Sequence, residues 1–245
     1  MIQAVLFDLD DTLYPEASFY RSGFSVVADV LAEREVGDRD TILEVLETIH
    51  FRESREGVFN KAAKRLGFPE EWVSELVWLF HSHTPQIELP PVTMHVLGEL
   101  CRHYRLGIVT DGHAAVQRRK IESLGLWGRV DCIVITDDLG RKYWKPDPTP
   151  FVSCCRSLRV KPHEAVFVGD HPERDIFGAK RAGLTAIRIR RPDGFFRDRE
   201  DLPHAKPWRT ITDLMELPRL LEDESPISME GENGRETVAH DISLV

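Results

Sequence analysis

The sequence predicts an α/β protein with a Rossmann-like, three-layer α/β/α core on a parallel sheet, plus an inserted α-helical cap domain. Three features of the 245-residue chain support this expectation. Short apolar runs alternate with amphipathic stretches, as in a parallel sheet with helices on both faces. Residues 15–90 interrupt the alternation and show helical periodicity only. Acidic and hydroxyl residues directly follow several apolar runs, where open α/β sheets bind ligands.

The predicted strands are short and buried. The first apolar run, residues 4–7, ends abruptly in acid, as a parallel strand does when its carboxyl end reaches a site. Runs of the same kind follow at residues 106–109, 132–135, 165–168 and 185–189. Helical stretches occupy residues 92–103, 114–123, 149–158 and 176–182. Gly125 and Gly183 each follow such a stretch, and we expect both to close a helix in the left-handed conformation.

The interrupting segment is interpreted as a separate helical lobe. Apolar residues repeat there at helical spacing, for example at Phe24, Val27 and Leu31. The predicted organisation is a core of residues 1–14 and 91–221, a helical cap of residues 15–90, and a disordered acidic tail of residues 222–245. The tail has no apolar periodicity, so burial cannot offset the entropy of ordering it.

Charge and composition exclude several classes of protein. The formal net charge of −9 argues against nucleic-acid binding, because phosphate backbones are held by clustered Lys and Arg. One short basic cluster, Arg118, Arg119 and Lys120, is interpreted as a solvated helix face.

No apolar run approaches the roughly 20 residues that span a bilayer, and the start of the chain lacks a signal peptide's basic flank. We therefore expect a cytoplasmic protein with no membrane partner. The four cysteines show no metal-ligand spacing, which argues against zinc.

The first acidic cluster directly follows the first predicted strand. Asp8 and Asp10 are expected to project toward the same opening. Two close carboxylates repel each other unless a cation or a shared proton relieves them, and hard oxygen ligands favour Mg²⁺. Taken alone, this cluster is equally consistent with a solvated acidic turn.

Two further clusters offer groups that bind anions. Thr110, Asp111 and Gly112 present a hydroxyl and a backbone amide at a strand end, and the glycine permits close approach of a phosphate oxygen. Lys145 lies in a proline-flanked turn and can hold a fixed positive charge over an anionic site. Each cluster alone is also consistent with an ordinary loop or surface turn.

The fourth cluster follows the strand predicted at residues 165–168. Asp170 lies directly beyond this buried strand and is placed to ligate a metal shared with Asp8. Asp175 lies five residues later, at the start of a predicted helix, so capping that helix is an alternative explanation for it.

In this order and at these strand ends, the clusters resemble the four motifs of the haloacid dehalogenase superfamily, in the branch with a helical cap between motifs one and two. The resemblance covers residues 4–220. The matching positions are Asp8-x-Asp10-x-Thr12, then Thr110, then Lys145, and last Gly169-Asp170-x4-Asp175. The superfamily's dehalogenases lack an aspartate at the position of Asp10, because they need no acid for an alkoxide leaving group. The resemblance therefore points to phosphate esters.

The resemblance implies a Mg²⁺-dependent phosphatase that hydrolyses a phosphate monoester of a small metabolite through an aspartyl-phosphate intermediate. Asp8 is the expected nucleophile, and Asp10 is the expected acid and base. Thr110 and Lys145 are expected to hold the phosphoryl oxygens. The predicted substrate contacts are Thr12, Tyr14, Arg21, Asp111, Gly112 and His113.

The resemblance also implies a metal-ligand set. Mg²⁺ is expected to bind a carboxylate oxygen of Asp8, the backbone carbonyl of Asp10, and Asp170. Asp175 is expected to stabilise the metal site without binding the metal directly, either by holding the ligands in place or through a water molecule.

Two other functions stay open from the sequence. A phosphomutase of the same family would return the phosphoryl group to a sugar, although no cap residue that would orient a sugar can be identified. A phospho-accepting signalling module also places acidic residues, a hydroxyl and a lysine around Mg²⁺, but such modules are much shorter and lack an inserted lobe. The sequence identifies neither the metabolite nor the oligomeric state, monomer or homodimer.

Overall fold

A six-stranded parallel β-sheet forms the centre of the computed structural model, which describes residues 1–223. The strands are β1 (Ala4–Phe7), β2 (Arg105–Thr110), β3 (Cys132–Ile135), β4 (Ala165–Gly169), β5 (Thr185–Ile189) and β6 (Arg209–Ile211). They lie in the order β3-β2-β1-β4-β5-β6, so the first strand is central. The predicted α/β fold with a parallel sheet is confirmed. The tail predicted at residues 222–245 lies outside the described residues, apart from its first two.

The edge strand β6 is absent from the sequence prediction. It has three residues, of which only Ile211 is buried. A strand this short shows neither the alternation nor the apolar run that marks a strand in a sequence. It pairs with β5, where Ile211 lies opposite Ile189.

Both faces of the sheet are covered, which explains why β1 is apolar throughout. Alternate residues of β1 enter the two hydrophobic clusters that flank the sheet. Phe7 pairs with Ile108 in β2 and with Val168 in β4. Residues that follow these three parallel strands therefore emerge at the same edge of the sheet.

The inserted segment after β1, which we call the cap, is helical. Its helices are α1 (Glu16–Glu33), α2 (Arg39–Thr48), α3 (Val58–Leu66) and α4 (Val73–Ser82). Their core is aromatic, because Phe24 of α1, Phe59 of α3 and Phe80 of α4 are in ring contact. Gly23 permits this packing, since a Cβ at that position would lie 2.5 Å from the Phe80 ring.

The remaining helices cover the sheet. They are α5 (Pro91–Leu100), α6 (Ala114–Ser123), α7 (Thr149–Ser157), α8 (Gly178–Arg181) and α9 (Leu217–Asp223). Gly125 after α6 and Gly183 after α8 have φ of 62° and 84°, which confirms the left-handed conformation predicted for both. The helix predicted at residues 176–182 is wrong in its start, because a π-helical turn at Pro172–Phe177 precedes α8. Within residues 1–223, no helix combines the length and the apolar character needed to cross a membrane.

Replacing Gly107 in β2 with alanine should destabilise the protein. An added Cβ would lie 2.6 Å from Cys154 Sγ and 3.2 Å from the side chains of Leu158 and Leu6. Since the core must shift to accept it, we expect Gly107→Ala to lower the free energy of unfolding in urea by about 1–3 kcal/mol. Gly98→Ala in α5 is the matched control, because its Cβ meets nothing within 4 Å, and should raise that free energy by about 0.5–1 kcal/mol. A Gly107→Ala variant as stable as the wild type would contradict this packing.

Candidate active site

The carboxyl edge of the sheet gathers acidic and hydroxyl side chains. Asp8 follows β1, Asp170 follows β4, and Thr110 ends β2, and these strands are neighbours. The backbone N–H of Asp8 donates to Val168 O at 2.9 Å, so the pairing of β1 with β4 extends into the site. The position of Asp8 is therefore set by the sheet. All three side chains are buried.

Lys145 links two of the buried carboxylates. Its Nζ lies 2.5 Å from Asp8 Oδ1 and 2.6 Å from Asp175 Oδ1, and only 3% of its side chain is exposed. Burial alone would lower the pKa of this ammonium, but the charges of Asp175 and Asp8 outweigh burial and raise it. Lys145 therefore carries a fixed positive charge inside the site.

Three carboxylates form a group that fits a divalent cation. Oxygens of Asp8, Asp170 and Asp175 lie within 4.8 Å of one another, and all three residues are buried. Burial, followed by repulsion from neighbouring carboxylates, raises the pKa of Asp170 well above its usual value. Burial also raises the pKa of Asp8, although Lys145 opposes it. One ammonium cannot neutralise three carboxylates, and an all-oxygen donor set suits a hard cation such as Mg²⁺.

Asp10 has a different environment from Asp8. Its Oδ1 accepts from Tyr14 Oη at 2.5 Å and from Lys120 Nζ at 2.8 Å. Its Oδ2 accepts from Lys120 Nζ and from Gln117 Nε2, both at 3.0 Å. Burial would raise the pKa of this carboxyl, but Lys120 and these hydrogen bonds outweigh burial and lower it. The carboxylate is outside the three-carboxylate group, and ligation by its backbone carbonyl stays a prediction.

Lys120 corrects the interpretation of the basic cluster as a solvated helix face. Arg118 fits that interpretation, because it is half exposed and pairs with Asp138. Lys120 does not, since it is 4% exposed and turns toward Asp10. A helix has 3.6 residues per turn, so adjacent residues point in different directions. Lys120 lies three residues after Gln117, so the two side chains share one face of α6. This spacing was the signal in the sequence that could have separated Lys120 from Arg118.

Gln117 was also missed by the sequence analysis. It is buried, and its Nε2 lies 2.6 Å from Thr110 Oγ1 and 2.7 Å from Asp111 O. Gly112 has φ of 128°, and a Cβ there would come within 3.2 Å of Gln117. Gly112 therefore leaves room for the Gln117 side chain, and the approach of a phosphate oxygen to Gly112 stays a prediction.

Asp111 and Thr12 differ in their hydrogen bonding. Asp111 Oδ1 accepts from Thr136 Oγ1 at 2.7 Å and from the Lys145 N–H at 3.1 Å, so Asp111 orients the turn that carries Lys145. Thr12 is fully buried, and its hydroxyl has no hydrogen-bond partner among the described residues. Their contact with substrate stays a prediction.

Five of the six predicted substrate contacts do not line the cavity at this edge: Thr12, Gly112, Tyr14, Arg21 and His113. Tyr14 is fully buried and uses its hydroxyl to bind Asp10. Arg21 is exposed and pairs with Glu47 of α2, because five residues after Glu16 a helix has turned by about 140°. His113 is exposed at the start of α6. Proximity in sequence to the motifs did not determine which side chains face the cavity.

The cavity has a volume of about 190 Å³. Its walls contain Asp8, Asp10, Asp11, Glu16, Arg55, Asp111, Lys145, Asp170, His171, Arg174, Asp175 and Phe196. Arg55 comes from the cap and was missed by the sequence analysis. It is ion-paired with Glu16. Its guanidinium carbon lies 4.9 Å from the centre of the Tyr20 ring and 4.1 Å from the centre of the Phe195 ring. Arg55 therefore touches both the cap and the loop after β5.

Asp11 joins the first motif to the cap. Its backbone has φ of 53°, a left-handed conformation that aspartate tolerates better than most residues. Its Oδ1 accepts the Glu16 N–H at 2.8 Å and its Oδ2 accepts the Phe195 N–H at 2.9 Å. The start of α1 and the loop after β5 are thus tied to the same carboxyl group.

A parallel sheet with a helical insertion after its first strand and an acidic site at its carboxyl edge defines a Rossmann-like α/β protein whose candidate site is built from carboxylates. The chain matches the haloacid dehalogenase-like hydrolase family over residues 5–189. It belongs to this family, and the resemblance inferred from the motifs is confirmed.

Known relatives include phosphatases and a dehalogenase. The chain is 34% identical to glyceraldehyde 3-phosphate phosphatase of Methanopyrus kandleri, over 82% of this chain and 88% of the relative. It is 29% identical to N-acylneuraminate-9-phosphatase of Rattus norvegicus, over 90% of this chain and 94% of the relative. Among solved structures, 2-haloacid dehalogenase from Pseudomonas syringae pv. Tomato DC3000 is similar, with a TM-score of 0.60 and 31% sequence identity. The match covers 91% of this chain and 99% of the dehalogenase chain.

Replacing Asp170 with asparagine should separate metal binding from folding. Mg²⁺ at 100 times its dissociation constant should stabilise the wild type by about 2.7 kcal/mol, seen as a rise in Tm. Asp170→Asn should lose this rise, because a ligand is removed. Its metal-free Tm should equal or exceed that of the wild type, because a carboxyl whose pKa is raised by burial and by Asp175 is replaced by a neutral group.

Asp138→Asn is the control for this experiment. Asp138 is a surface carboxylate paired with Arg118, so the variant should keep the full Mg²⁺-dependent rise in Tm. A full rise in Asp170→Asn as well would contradict the metal site.

Proposed function

We propose that the protein is a Mg²⁺-dependent phosphatase that hydrolyses the phosphate monoester of a small metabolite through an aspartyl-phosphate on Asp8. The observation that carries the proposal is the pair of carboxylates, Asp8 and Asp10, which line one cavity in opposite electrostatic environments. Pairs of acids whose surroundings push their pKa values apart are suited to separate roles in catalysis. A departing halide needs no proton, whereas a departing alkoxide does, so Asp10 favours a phosphatase over a dehalogenase.

In the first step, an oxygen of Asp8 attacks phosphorus and the bond from phosphorus to the leaving-group oxygen breaks. Asp10 gives its proton to that oxygen, so the product leaves as an alcohol. Lys145 and Thr110 bind the phosphoryl oxygens. Bound Mg²⁺ supplies positive charge that offsets the repulsion between Asp8 and an anionic substrate.

In the second step, water attacks the phosphorus of the aspartyl-phosphate. Asp10, now a carboxylate, accepts a proton from this water, and phosphate leaves as the carboxylate of Asp8 is restored. Asp10 is thereby protonated again for the next turnover.

Substrate binding supports the protonated form of Asp10. In the free protein the Lys120 ammonium helps to lower the pKa of Asp10 despite burial. A phosphate dianion beside this carboxyl disfavours a second negative charge and raises the pKa. The acid form needed for the first step is thus favoured when the substrate is in place.

The relatives support a small phosphorylated substrate. Their names specify glyceraldehyde 3-phosphate and N-acylneuraminate 9-phosphate, which share a phosphate on a small oxygen-rich molecule. The Arg55–Glu16 pair offers hydrogen-bond donors and acceptors to such a molecule from the cap side of the cavity.

The experiment that tests the proposal is release of inorganic phosphate from p-nitrophenyl phosphate and from a panel of small phosphometabolites. We expect release by the wild type with Mg²⁺ and none with a chelator. Asp8→Asn should reduce release to background, because the amide replaces the nucleophile.

Asp138→Asn again serves as the control and should keep wild-type release, since Asp138 lies outside the cavity. Folding of each variant is checked by circular dichroism. Phosphate release by folded Asp8→Asn at the wild-type rate would overturn the proposed nucleophile.

A further inference from the structure

Two polar side chains of α6 are buried against the active site. Gln117 is 1% exposed and Lys120 is 4% exposed. Burying an amide or an ammonium is costly unless it is paired, and both side chains meet the carboxylate of Asp10. The helix therefore directs two donors at the residue to which the proposed function assigns proton transfer.

Gln117 links Asp10 to the hydroxyl of Thr110. Its Nε2 lies 3.0 Å from Asp10 Oδ2, 2.6 Å from Thr110 Oγ1 and 2.7 Å from Asp111 O. One amide nitrogen thus sets the distance between the proton-transferring carboxyl and a group assigned to the phosphoryl oxygens. Gly112 leaves the space for this amide, because a Cβ there would meet Gln117 at 3.2 Å.

Lys120 fixes the carboxylate from another direction. Its Nζ contacts both oxygens of Asp10, at 2.8 and 3.0 Å, while Tyr14 Oη donates to Oδ1. The same ammonium lies 4.2 Å from the centre of the Phe19 ring in the cap. Donors on both oxygens leave the Asp10 side chain little freedom to rotate.

We propose that Gln117 and Lys120 are positioning residues that aim Asp10 at the leaving-group oxygen of the substrate. This inference rests on the proposed role of Asp10 as the acid. A displaced Asp10 would impair proton transfer to the leaving group, while Asp8, Lys145 and the metal-binding carboxylates would keep their geometry.

The consequence is a loss that depends on the leaving group. A primary alkyl phosphate must lose an alkoxide, which leaves readily only when it is protonated. p-Nitrophenyl phosphate loses a phenolate that is stable without a proton. The ratio kcat/KM covers only the steps up to departure of the leaving group, so it isolates the acid step from later hydrolysis of the aspartyl-phosphate.

The experiment measures kcat/KM for both esters in the wild type, Gln117→Met and Lys120→Met. For each variant we expect a fall of about 10²-fold or more on the alkyl ester and of less than about tenfold on p-nitrophenyl phosphate. In Lys120→Met the displacement of Asp10 outweighs the easier protonation that loss of a positive charge would give. Lys120→Arg keeps the positive charge and should recover part of the alkyl activity. Arg118→Met, on the exposed face of the same helix, is the matched control and should change neither ratio.

Thermal denaturation establishes that each variant is folded, and Gln117→Met and Lys120→Arg test the inference if Lys120→Met does not fold. Equal losses on the two esters, or no loss on the alkyl ester, would overturn the positioning role. A wild type that hydrolyses neither ester would overturn the proposed function, and this inference with it. If the wild type hydrolyses both esters and the variants show no selective loss on the alkyl ester, the positioning role is overturned and the proposed function stands.

Discussion

Carboxylates crowded at one edge of the sheet repel one another, and the buried ammonium of Lys145 is the charge that holds Asp8 and Asp175 together. Its Nζ is 2.5 Å from one and 2.6 Å from the other. Removing one partner of a buried ion pair leaves a charge without compensation, which is strongly destabilising. The turn that carries Lys145 is itself attached to Asp111 through a backbone N–H. Gly169 leaves room beneath Asp175, because a Cβ there would lie 2.6 Å from its side chain.

The site gives two acids of the same motif opposite properties. Asp8 shares its surroundings with other carboxylates, and burial raises its pKa. Asp10, two residues later, meets Lys120, which with its hydrogen bonds outweighs burial and lowers the pKa. Residues two apart at the end of a strand have different surroundings. One short motif therefore supplies one carboxylate to the three-carboxylate group and a second to which the proposed function assigns proton transfer.

The cap is connected to this chemistry through the first motif. Asp11 accepts N–H bonds from the first residue of α1 and from Phe195, and Arg55 packs against the rings of Tyr20 of the cap and Phe195. These contacts join the inserted helices, the turn after β1 and the loop after β5. A displacement of the cap would therefore strain the turn that also carries Asp8 and Asp10.

The sequence by itself determined the class of fold, five of the six strands and the family. Buried parallel strands are uniformly apolar, and the polar residues that end them meet at one edge. Asp8, Thr110 and Asp170 could therefore be placed from the sequence alone. The tertiary structure decided which other side chains join them. Lys120 was expected in solvent and lies buried on Asp10, whereas Arg21 was expected in the cleft and lies outside it. Lys120 and Asp10 are 110 residues apart in the chain. Their contact depends on how α6 is rotated against the sheet, which local sequence patterns do not specify.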